Sequence, residues 1–306
     1  MIPKFPEFKK LELSDKEEIE KYTKNYSLYS SDFNFTSLWV WNTNNECIIS
    51  ELSGNLIVRF TDYGTNELFF SFIGINDLER TAFKLIQYAK DSDISPVLRL
   101  VPEVSVAEMP ATTLVVEEDR DNFDYIFSVA ELASFQGLKF KEKRHLANRF
   151  LREYPEARFE LIDLSDTDAQ IKIASLLRTW EDNKKSEYKK YELQNEETAI
   201  TRLLQTADVH KLVASSISLN NRFIGFSISE ILPCQYGISH FAKADSTYDG
   251  VYEFMNMREG QYLLTHNVVL WNWEQDLGIE SLRESKMGYR PINFLKKYTI
   301  SLPDKH

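Results

Sequence analysis

Three β-rich runs, at residues 210–219, 222–230 and 236–242, follow one another with very short joins. The joins contain Asn220, Asn221 and a Pro-Cys-Gln segment, which are residue types that favour tight turns. Runs this close together pair as an antiparallel meander, because a parallel pairing needs a crossover of a dozen or more residues. A helix, a strand and a further helix follow. The sequence therefore predicts an α/β or α+β fold with mixed sheets flanked by helices.

Polar side chains are concentrated directly after the last buried strand of this plan, which is predicted at residues 268–271. Asn272, Glu274 and Asp276 alternate, so in an extended segment they share one face. We interpret Asn272 as a group that holds a substrate carbonyl and Glu274 as a group that recognises an amine. For Asp276 the simpler interpretation is a cap on the helix that follows. This is the strongest candidate site in the sequence.

The first half of the chain shows a weaker version of the same order of elements, and a basic helix predicted at residues 141–153 separates the halves. A length of 306 residues allows two domains, at roughly 150 residues for each. We predict domains at residues 1–140 and 141–306. The active cleft is expected in the second domain, between the strands that end at Ala242 and Trp271.

A set of sequence blocks, in a fixed order along the chain, resembles a known family. They are SDFNFTSLWVW, GLKFKEKRHLANRFLREYP, GFSISE with HFAKADSTYDGVYEFMN, WNWEQDLGIESLRESKMGYRP, and FLKKY. Together they resemble the bacterial proteins related to the C-terminal domain of phosphatidylglycerol lysyltransferase. The resemblance spans nearly the whole chain and implies two tandem GNAT-like acyltransferase domains, similar also to the Fem-type transferases. It further implies an aminoacyl-tRNA donor, from which established members transfer an amino acid to a lipid.

In a GNAT-like plan, the helix that follows the meander holds the phosphates of the donor at its amino terminus. The corresponding loop here is ADSTYDGVYEF, in which Gly250 is followed by Tyr252 where a second small residue usually stands. Asp249 adds a negative charge, which weakens the ordinary mode of acetyl-CoA binding. Tyr248 and Tyr252 are also candidate proton donors to a leaving group. The donor is expected to be acyl-CoA or aminoacyl-tRNA, while a simple turn and helix start explains the YDG segment equally well.

Glu230 and His240 are candidate general bases for acyl transfer. Strand alternation places Glu230 on the same face as Phe226 and Ile228, which is an unusual position for a carboxylate. The alternatives are a structural ion pair for Glu230 and a packed, hydrogen-bonded histidine for His240.

The chain carries a net charge of −11 and has a pI near 5.1, which argues against non-specific nucleic-acid binding over its whole surface. Local basic groups remain candidate phosphate sites through which the protein would meet tRNA or another anionic donor. One of them contains Lys143 and Arg144, and the other contains Lys286 and Tyr289. Charge on a helix face is usually only solvated, which is the alternative for both groups. The acceptor is expected to be a small molecule or a lipid headgroup.

The histidines have no paired ligand spacing, so no metal is expected. Cys47 and Cys234 match no redox motif, and no window approaches the roughly 18 apolar residues of a membrane helix. These features predict a cytoplasmic protein. A second interpretation of the whole chain is a non-catalytic binding module on a degenerate GNAT-like fold, which the poor phosphate loop favours.

Overall fold

A computed structural model gives the architecture of the chain. It describes residues 1–24, 26, 28–62, 64–107, 109, 113–184 and 193–303, with the side chains of 181–184 and 193 excepted. Strands and helices alternate along these residues, so the fold is of the mixed α/β type that the sequence predicts.

The described strands, in chain order, are β1 Lys9–Lys10, β2 Ile48–Leu52, β3 Asn55–Thr61, β4 Leu68–Ile73, β5 Leu98–Pro102, β6 Val115–Glu118, β7 Asp124–Ser128, β8 Arg158–Leu161, β9 Leu212–Leu219, β10 Arg222–Leu232, β11 Tyr236–Ala244, β12 Leu270–Asn272, β13 Asn293–Leu295 and β14 Lys297–Ser301. The described α-helices are α1 Lys16–Thr23, α2 Phe35–Val40, α3 Leu78–Asp91, α4 Val104–Ala107, α5 Val129–Ser134, α6 Lys141–Glu153, α7 Thr167–Lys184, α8 Leu193–Gln205, α9 Val251–Thr265 and α10 Glu280–Gly288.

The strands form three sheets, and two of these sheets combine strands from both halves of the chain. The largest has the order β13-β7-β12-β11-β10-β9-β8, so β7 from the first half lies between two strands of the second half. In return, β14 lies between β5 and β6. The remaining sheet has the order β1-β2-β3-β4. Strands thus cross the predicted boundary between residues 1–140 and 141–306, and that boundary stays a prediction.

The predicted meander is present as β9, β10 and β11, joined by tight turns. Asn220 and Asn221 both adopt positive φ angles, as do Cys234 and Gln235. Paired positive φ values are typical of the two-residue turns whose twist matches that of a hairpin. The short connections recognised in the sequence therefore determine the antiparallel pairing of β9, β10 and β11.

Helices cover both faces of the meander, as the alternation of its side chains requires. Phe226 and Ile228 of β10 pack with α7 and α8 residues such as Leu176 and Leu203. Ser229 points to the opposite face, where its hydroxyl donates a hydrogen bond of 2.7 Å to Glu259 of α9. The predicted face assignment along β10 is therefore confirmed.

The basic helix predicted at residues 141–153 is confirmed to the residue as α6. The strand predicted at residues 268–271 lies at Leu270–Asn272 instead, so Asn272 is part of the strand and not beyond its end. Among the described residues, no helix is both long and apolar enough to cross a membrane.

Candidate active site

A cleft opens where two parallel strands separate. β11 and β12 pair only over residues 236–238 and 270–272. Beyond these residues β11 continues to Ala244, whereas β12 ends and the segment after it turns away. The cleft has a volume of about 930 Å³ and is lined by side chains from both halves of the sequence. It lies between the strands that lead to Ala242 and Trp271, where the sequence predicts the active cleft, and its role as the active cleft stays a prediction. Side chains from the first half of the chain also line this cleft.

A row of three ionisable side chains leads from the interior of the sheet to this cleft, which two of them line. Nε2 of His240 lies 3.3 Å from Oε2 of Glu230, and Nδ1 lies 3.3 Å from Oε1 of Glu274. The side chain of His240 is fully buried and that of Glu230 is 3% exposed, whereas that of Glu274 is 16% exposed. Glu274 is therefore the most exposed member of the row, and it lines the cleft together with His240.

An irregularity in the sheet aims His240 into this row. Ile228 pairs with Phe241 and Ser229 pairs with Ser239, so His240 is an extra residue on β11. Such a bulge breaks the strict alternation of side chains and re-aims the residue at the bulge. It allows His240 to reach Glu230 on the neighbouring strand and Glu274 across the cleft.

The charges of this row depend on one another. Burial opposes ionisation of Glu230, but its hydrogen bonds to His240 and Asn34 outweigh that effect and hold its pKa below the ordinary value. Burial likewise lowers the pKa of His240, yet the hydrogen bonds and charges of the two carboxylates raise it to about 9. At neutral pH His240 is thus an imidazolium between two carboxylates, and it is not available as a neutral base.

This ion triplet gives a prediction for stability. Because the pKa of His240 rises from 6.5 to about 9 on folding, its stabilising contribution is complete below pH 6.5 and is lost as the pH rises through 9. We expect the difference in unfolding free energy between the wild type and His240→Gln to shrink by on the order of 3 kcal/mol over that interval. Urea denaturation at pH 6, 7.5 and 9.5 measures it. A difference that stays constant with pH would contradict the protonated state of His240.

The amino-terminal end of α2 supplies two polar side chains to the same row, one from the cap residue and one from the first turn. Nδ2 of Asn34 donates a hydrogen bond of 3.0 Å to Glu230, while its Oδ1 accepts one from the backbone N–H of Ser37. The hydroxyl of Ser37 lies 3.4 Å from Nδ1 of His240 and 3.5 Å from Oε1 of Glu274. The sequence interpretation missed both residues. The only local signal is an Asn at the start of an apolar helix, which by itself indicates a cap.

Asn272 supports the site from beneath and does not face the cleft. It is fully buried, and its amide donates to Asp124 at 2.9 Å and to the carbonyl of Tyr29 at 3.3 Å. Its Oδ1 accepts the backbone N–H of Glu274 at 2.7 Å. The predicted role in holding a substrate carbonyl does not fit this position, because each polar atom of the side chain already has a partner. Asn272 instead fixes the backbone of Glu274, which has a φ of +55°.

Lys286 also holds the turn that carries Glu274. Its Nζ donates to the carbonyl oxygens of Trp273 and Gln275, each at 2.6 Å, and burial lowers its pKa to about 8. The predicted use of Lys286 as a phosphate ligand is therefore not supported by its contacts. Its ammonium is occupied by backbone carbonyls, although the side chain lines the cleft.

Asp276 lies outside this row. Its carboxylate is fully buried and accepts hydrogen bonds from Arg283 at 2.8 and 2.9 Å and from Tyr125 at 2.5 Å. It also accepts the backbone N–H of Gly278, but α10 begins only at Glu280. The predicted helix cap is therefore wrong, and Asp276 instead anchors the loop between β12 and α10.

Residues of the loop that is expected to bind donor phosphates make contacts within the protein. A Cβ on Gly250 would lie 2.4 Å from the carbonyl oxygen of Leu146, and its φ is +84°, so this glycine allows α6 to pack against the start of α9. Tyr248 packs edge-on against Tyr154 and does not line the cleft. Tyr252 does line it, with a hydroxyl that bonds the backbone of Ala244.

The predicted basic groups are likewise committed to partners inside the protein. Nζ of Lys143 pairs with Glu253 at 2.9 Å and lies 3.9 Å from the ring centroid of Tyr289, whose hydroxyl donates to the same carboxylate. Arg144 donates to the carbonyl oxygens of Phe135 and Gly137, where α5 ends. Lys143 and Tyr289 thus bring members of the two groups into contact, but Glu253 pairs with both of them, so this contact is not a phosphate-binding surface.

The described lining of the cleft is predominantly acidic. It contains six carboxylates, Asp32, Asp62, Asp119, Asp121, Glu196 and Glu274, against three basic side chains, Arg99, Lys243 and Lys286, and His240. Arg99 and Lys243 are paired with carboxylates. Asp32 and Asp121 are paired as well, with Lys297 and Arg283, so most of the acidic charge of the lining is neutralised by ion pairs within the protein. Within the described residues, no group of His, Cys, Asp and Glu is arranged to hold a metal ion.

A family model described as phosphatidylglycerol lysyltransferase, C-terminal, matches residues 23–301. No curated protein matches the chain. A conserved protein of unknown function from Bacteroides thetaiotaomicron VPI-5482 has a similar crystal structure, with 26% identity and a TM-score of 0.84 over 99% of this chain and 100% of that one.

Three further solved structures show the same fold at low identity. L-PGS from Bacillus licheniformis is 12% identical, with a TM-score of 0.64 over 100% of this chain and 95% of that one. FemX is 9% identical, with a TM-score of 0.60 over 97% of each chain. A tandem GNAT protein from the clavulanic acid biosynthesis pathway is 9% identical, with a TM-score of 0.52 over 98% of this chain and 99% of that one. These likenesses confirm the predicted tandem GNAT-like plan.

Proposed function

The chain belongs to the phosphatidylglycerol lysyltransferase C-terminal family, and we propose that it transfers an acyl or aminoacyl group to an amine or hydroxyl acceptor within the β11/β12 cleft. The observation that carries the proposal is the Glu230–His240–Glu274 row at the point where the two strands separate. Acyl transfer needs a group that removes a proton from the nucleophile and donors that stabilise the developing oxyanion. The cleft offers candidates for both.

Glu274 is the candidate proton acceptor. Its carboxylate is the exposed end of the row, and its backbone is fixed by Asn272 on one side and by Lys286 on the other. His240, held as an imidazolium by Glu230, orients this carboxylate and balances its charge. In the proposed step, the attacking amine or hydroxyl forms the new bond to the acyl carbon and gives its proton to Glu274. The proton then passes to the departing oxygen or sulfur of the donor.

The free edge of β11 is the candidate oxyanion site. Beyond residue 238 no described strand pairs with β11 on the side of β12, and Ser239 to Lys243 line the cleft. Backbone N–H groups that face such an opening donate hydrogen bonds without any reorganisation during the reaction.

For the donor, we propose the aminoacyl ester of a tRNA, with acyl-CoA as the second candidate. The family favours the first. In addition, Gly250 is packed against Leu146, and Asp249 places a carboxylate at the start of α9, which disfavours a diphosphate there. The acceptor is proposed to be a small molecule or a lipid headgroup that presents an amine or hydroxyl.

A donor-consumption assay tests this function. The protein is incubated with a labelled mixture of aminoacyl-tRNAs, or with a panel of acyl-CoA thioesters, in the presence of small amines or phosphatidylglycerol vesicles. We expect protein-dependent loss of label from tRNA and the appearance of a new amide or ester by mass spectrometry. Consumption of thioesters alone would select the second donor. If neither donor is consumed, the transferase proposal is wrong and the chain is a binding module.

A further inference from the structure

The hydroxyl of Ser37 lies at the end of the ionisable row that reaches the cleft. Its Oγ is 3.4 Å from Nδ1 of His240 and 3.5 Å from Oε1 of Glu274. Ser37 is 4% exposed and lines the cleft. These separations are longer than an ordinary hydrogen bond, as is common for catalytic pairs without substrate. Ser37 is therefore a hydroxyl within reach of the candidate proton acceptor.

The charge state of the row directs the proton of this hydroxyl. Burial lowers the pKa of His240, but the two carboxylates raise it to about 9, so that the ring is an imidazolium at neutral pH. A protonated Nδ1 can only donate a hydrogen bond. The lone pairs of Ser37 therefore face His240, and its proton faces Oε1 of Glu274. Ser37 thus occupies the position from which a nucleophile hands its proton to Glu274.

The position of Ser37 is fixed by the same residues that hold the row. Oδ1 of Asn34 accepts the backbone N–H of Ser37 at 3.1 Å, while Nδ2 of Asn34 donates to Glu230 at 3.0 Å. His240 belongs to the free edge of β11, where the proposed oxyanion donors lie. A nucleophile, a base with an orienting partner and an oxyanion site are thus side by side, which is the arrangement of covalent acyl-transfer enzymes.

We propose that Ser37 is a covalent nucleophile and that transfer proceeds through an ester between the acyl group and Ser37. The inference rests on the proposed transferase function and divides it into two steps. In the first, Oγ of Ser37 bonds to the acyl carbon, and its proton passes through Glu274 to the departing oxygen or sulfur of the donor as the donor bond breaks. In the second, the acceptor amine or hydroxyl bonds to the same carbon, and its proton passes through Glu274 to Oγ as the bond to Ser37 breaks.

An exchange reaction without acceptor tests the covalent step, because an acyl-enzyme can return its acyl group to a free leaving group. Free tRNA labelled in its terminal adenosine is mixed with unlabelled aminoacyl-tRNA, or deuterated CoA with acyl-CoA thioesters. We expect the label to appear in the acylated donor, and Ser37→Ala to lower this rate about 1,000-fold or more, as for loss of a nucleophile. The matched control is Ser285→Ala, which removes an exposed hydroxyl that also lines the cleft and should leave the rate unchanged.

Mass spectrometry after an acid quench, again without acceptor, locates the intermediate. We expect the wild type to gain the mass of the acyl group on the peptide that contains Ser37, and Ser37→Ala to gain none. Ser37→Cys keeps a nucleophile at this position and should form a thioester, which neutral hydroxylamine cleaves much faster than a serine ester. This variant also provides the measurement if Ser37→Ala does not fold.

A role for Ser37 in positioning Glu274 alone gives a different result. Ser37→Ala would then lower the rate of transfer, but the wild type would show neither exchange nor a gain in mass, and Ser37→Cys would form no thioester. With acyl groups still reaching the acceptor, that result overturns the covalent step and leaves the proposed function intact. If neither donor is consumed under any of these conditions, the proposed function is wrong and the covalent step with it.

Discussion

Replacement of Glu274 by Gln is expected to lower the rate of acyl or aminoacyl transfer by about 100-fold to 10,000-fold, the usual contribution of a general base. Gln keeps the size of the side chain and an oxygen that can accept a hydrogen bond from His240, but it cannot accept a proton. Because Glu274 is the most exposed member of the row, the substitution removes the proton acceptor with little loss of packing. Initial rates in the donor-consumption assay, with saturating acceptor, give the measurement.

The matched control is Glu284→Gln, an exposed carboxylate on α10 that does not line the cleft. We expect its rate to equal that of the wild type. Thermal denaturation of both variants separates a catalytic loss from a loss of folded protein. If Glu274→Gln retains a rate within about threefold of the wild type, Glu274 is not the proton acceptor.

A structural role alone for Glu274 would give a different pattern. If it only orients His240, the pH dependence of the remaining activity should follow that of the wild type, since no titrating group of the reaction has been lost. If it accepts the proton, the acidic limb of the pH–rate profile should disappear in Glu274→Gln. The profile therefore distinguishes the two roles even where the losses in rate are similar.

The sequence predicts the local elements of this protein well, because their signals are local. α6 begins and ends at the predicted residues, and the meander follows from short joins whose Asn220 and Asn221 adopt the expected positive φ angles. Likewise, the placement of Glu230 on the face of Phe226 and Ile228 needs only strand alternation. Each of these predictions depends on residues within one or two elements.

The candidate site was only partly predictable, since its contacts join residues that are far apart in the chain. Glu230, His240 and Glu274 were identified singly, but their union depends on a bulge at His240 that no residue pattern marks. Asn272 was misplaced because its partners Asp124 and Tyr29 come from the other half of the chain. These contacts form because each half of the chain contributes strands to a sheet of the other half. A prediction of two separate domains does not include such contacts.

The two predicted basic groups were also misjudged because their partners lie elsewhere in the chain. Lys143 and Arg144 form part of a cationic helix in the sequence, but the fold brings Glu253 to one and backbone carbonyl oxygens to the other. The clusters of basic residues in the sequence therefore predicted anion sites. In the folded protein, these residues are bonded to other groups of the protein instead. The acidic cleft became visible only once side chains from distant segments were placed around it.

Replacement of Lys297 by Met is expected to give the largest loss of stability, about 3–5 kcal/mol at pH 7.5, the usual cost of breaking a buried ion pair. Lys297 is fully buried at the start of β14, and its Nζ contacts Asp124 at 2.7 Å, Ser31 at 3.2 Å and the carboxylate of Asp32. Met keeps the length of the side chain but leaves both carboxylates without their cation. Urea denaturation, monitored by tryptophan fluorescence, measures the change.

The pH dependence of this loss separates charge from packing. Burial raises the pKa of Asp32 to about 6 even with Lys297 present, and removal of that cation raises it further. Protonation of Asp32 relieves the uncompensated charge, so the cost of Lys297→Met should be smaller at pH 5 than at pH 8. Asp32→Asn in the Lys297→Met background should recover part of the loss at pH 8. Lys296→Met, which removes the neighbouring exposed lysine, should leave the unfolding free energy unchanged. An equal cost at both pH values would mean that Lys297 acts through packing, and the two halves would then not be joined by charge at this point.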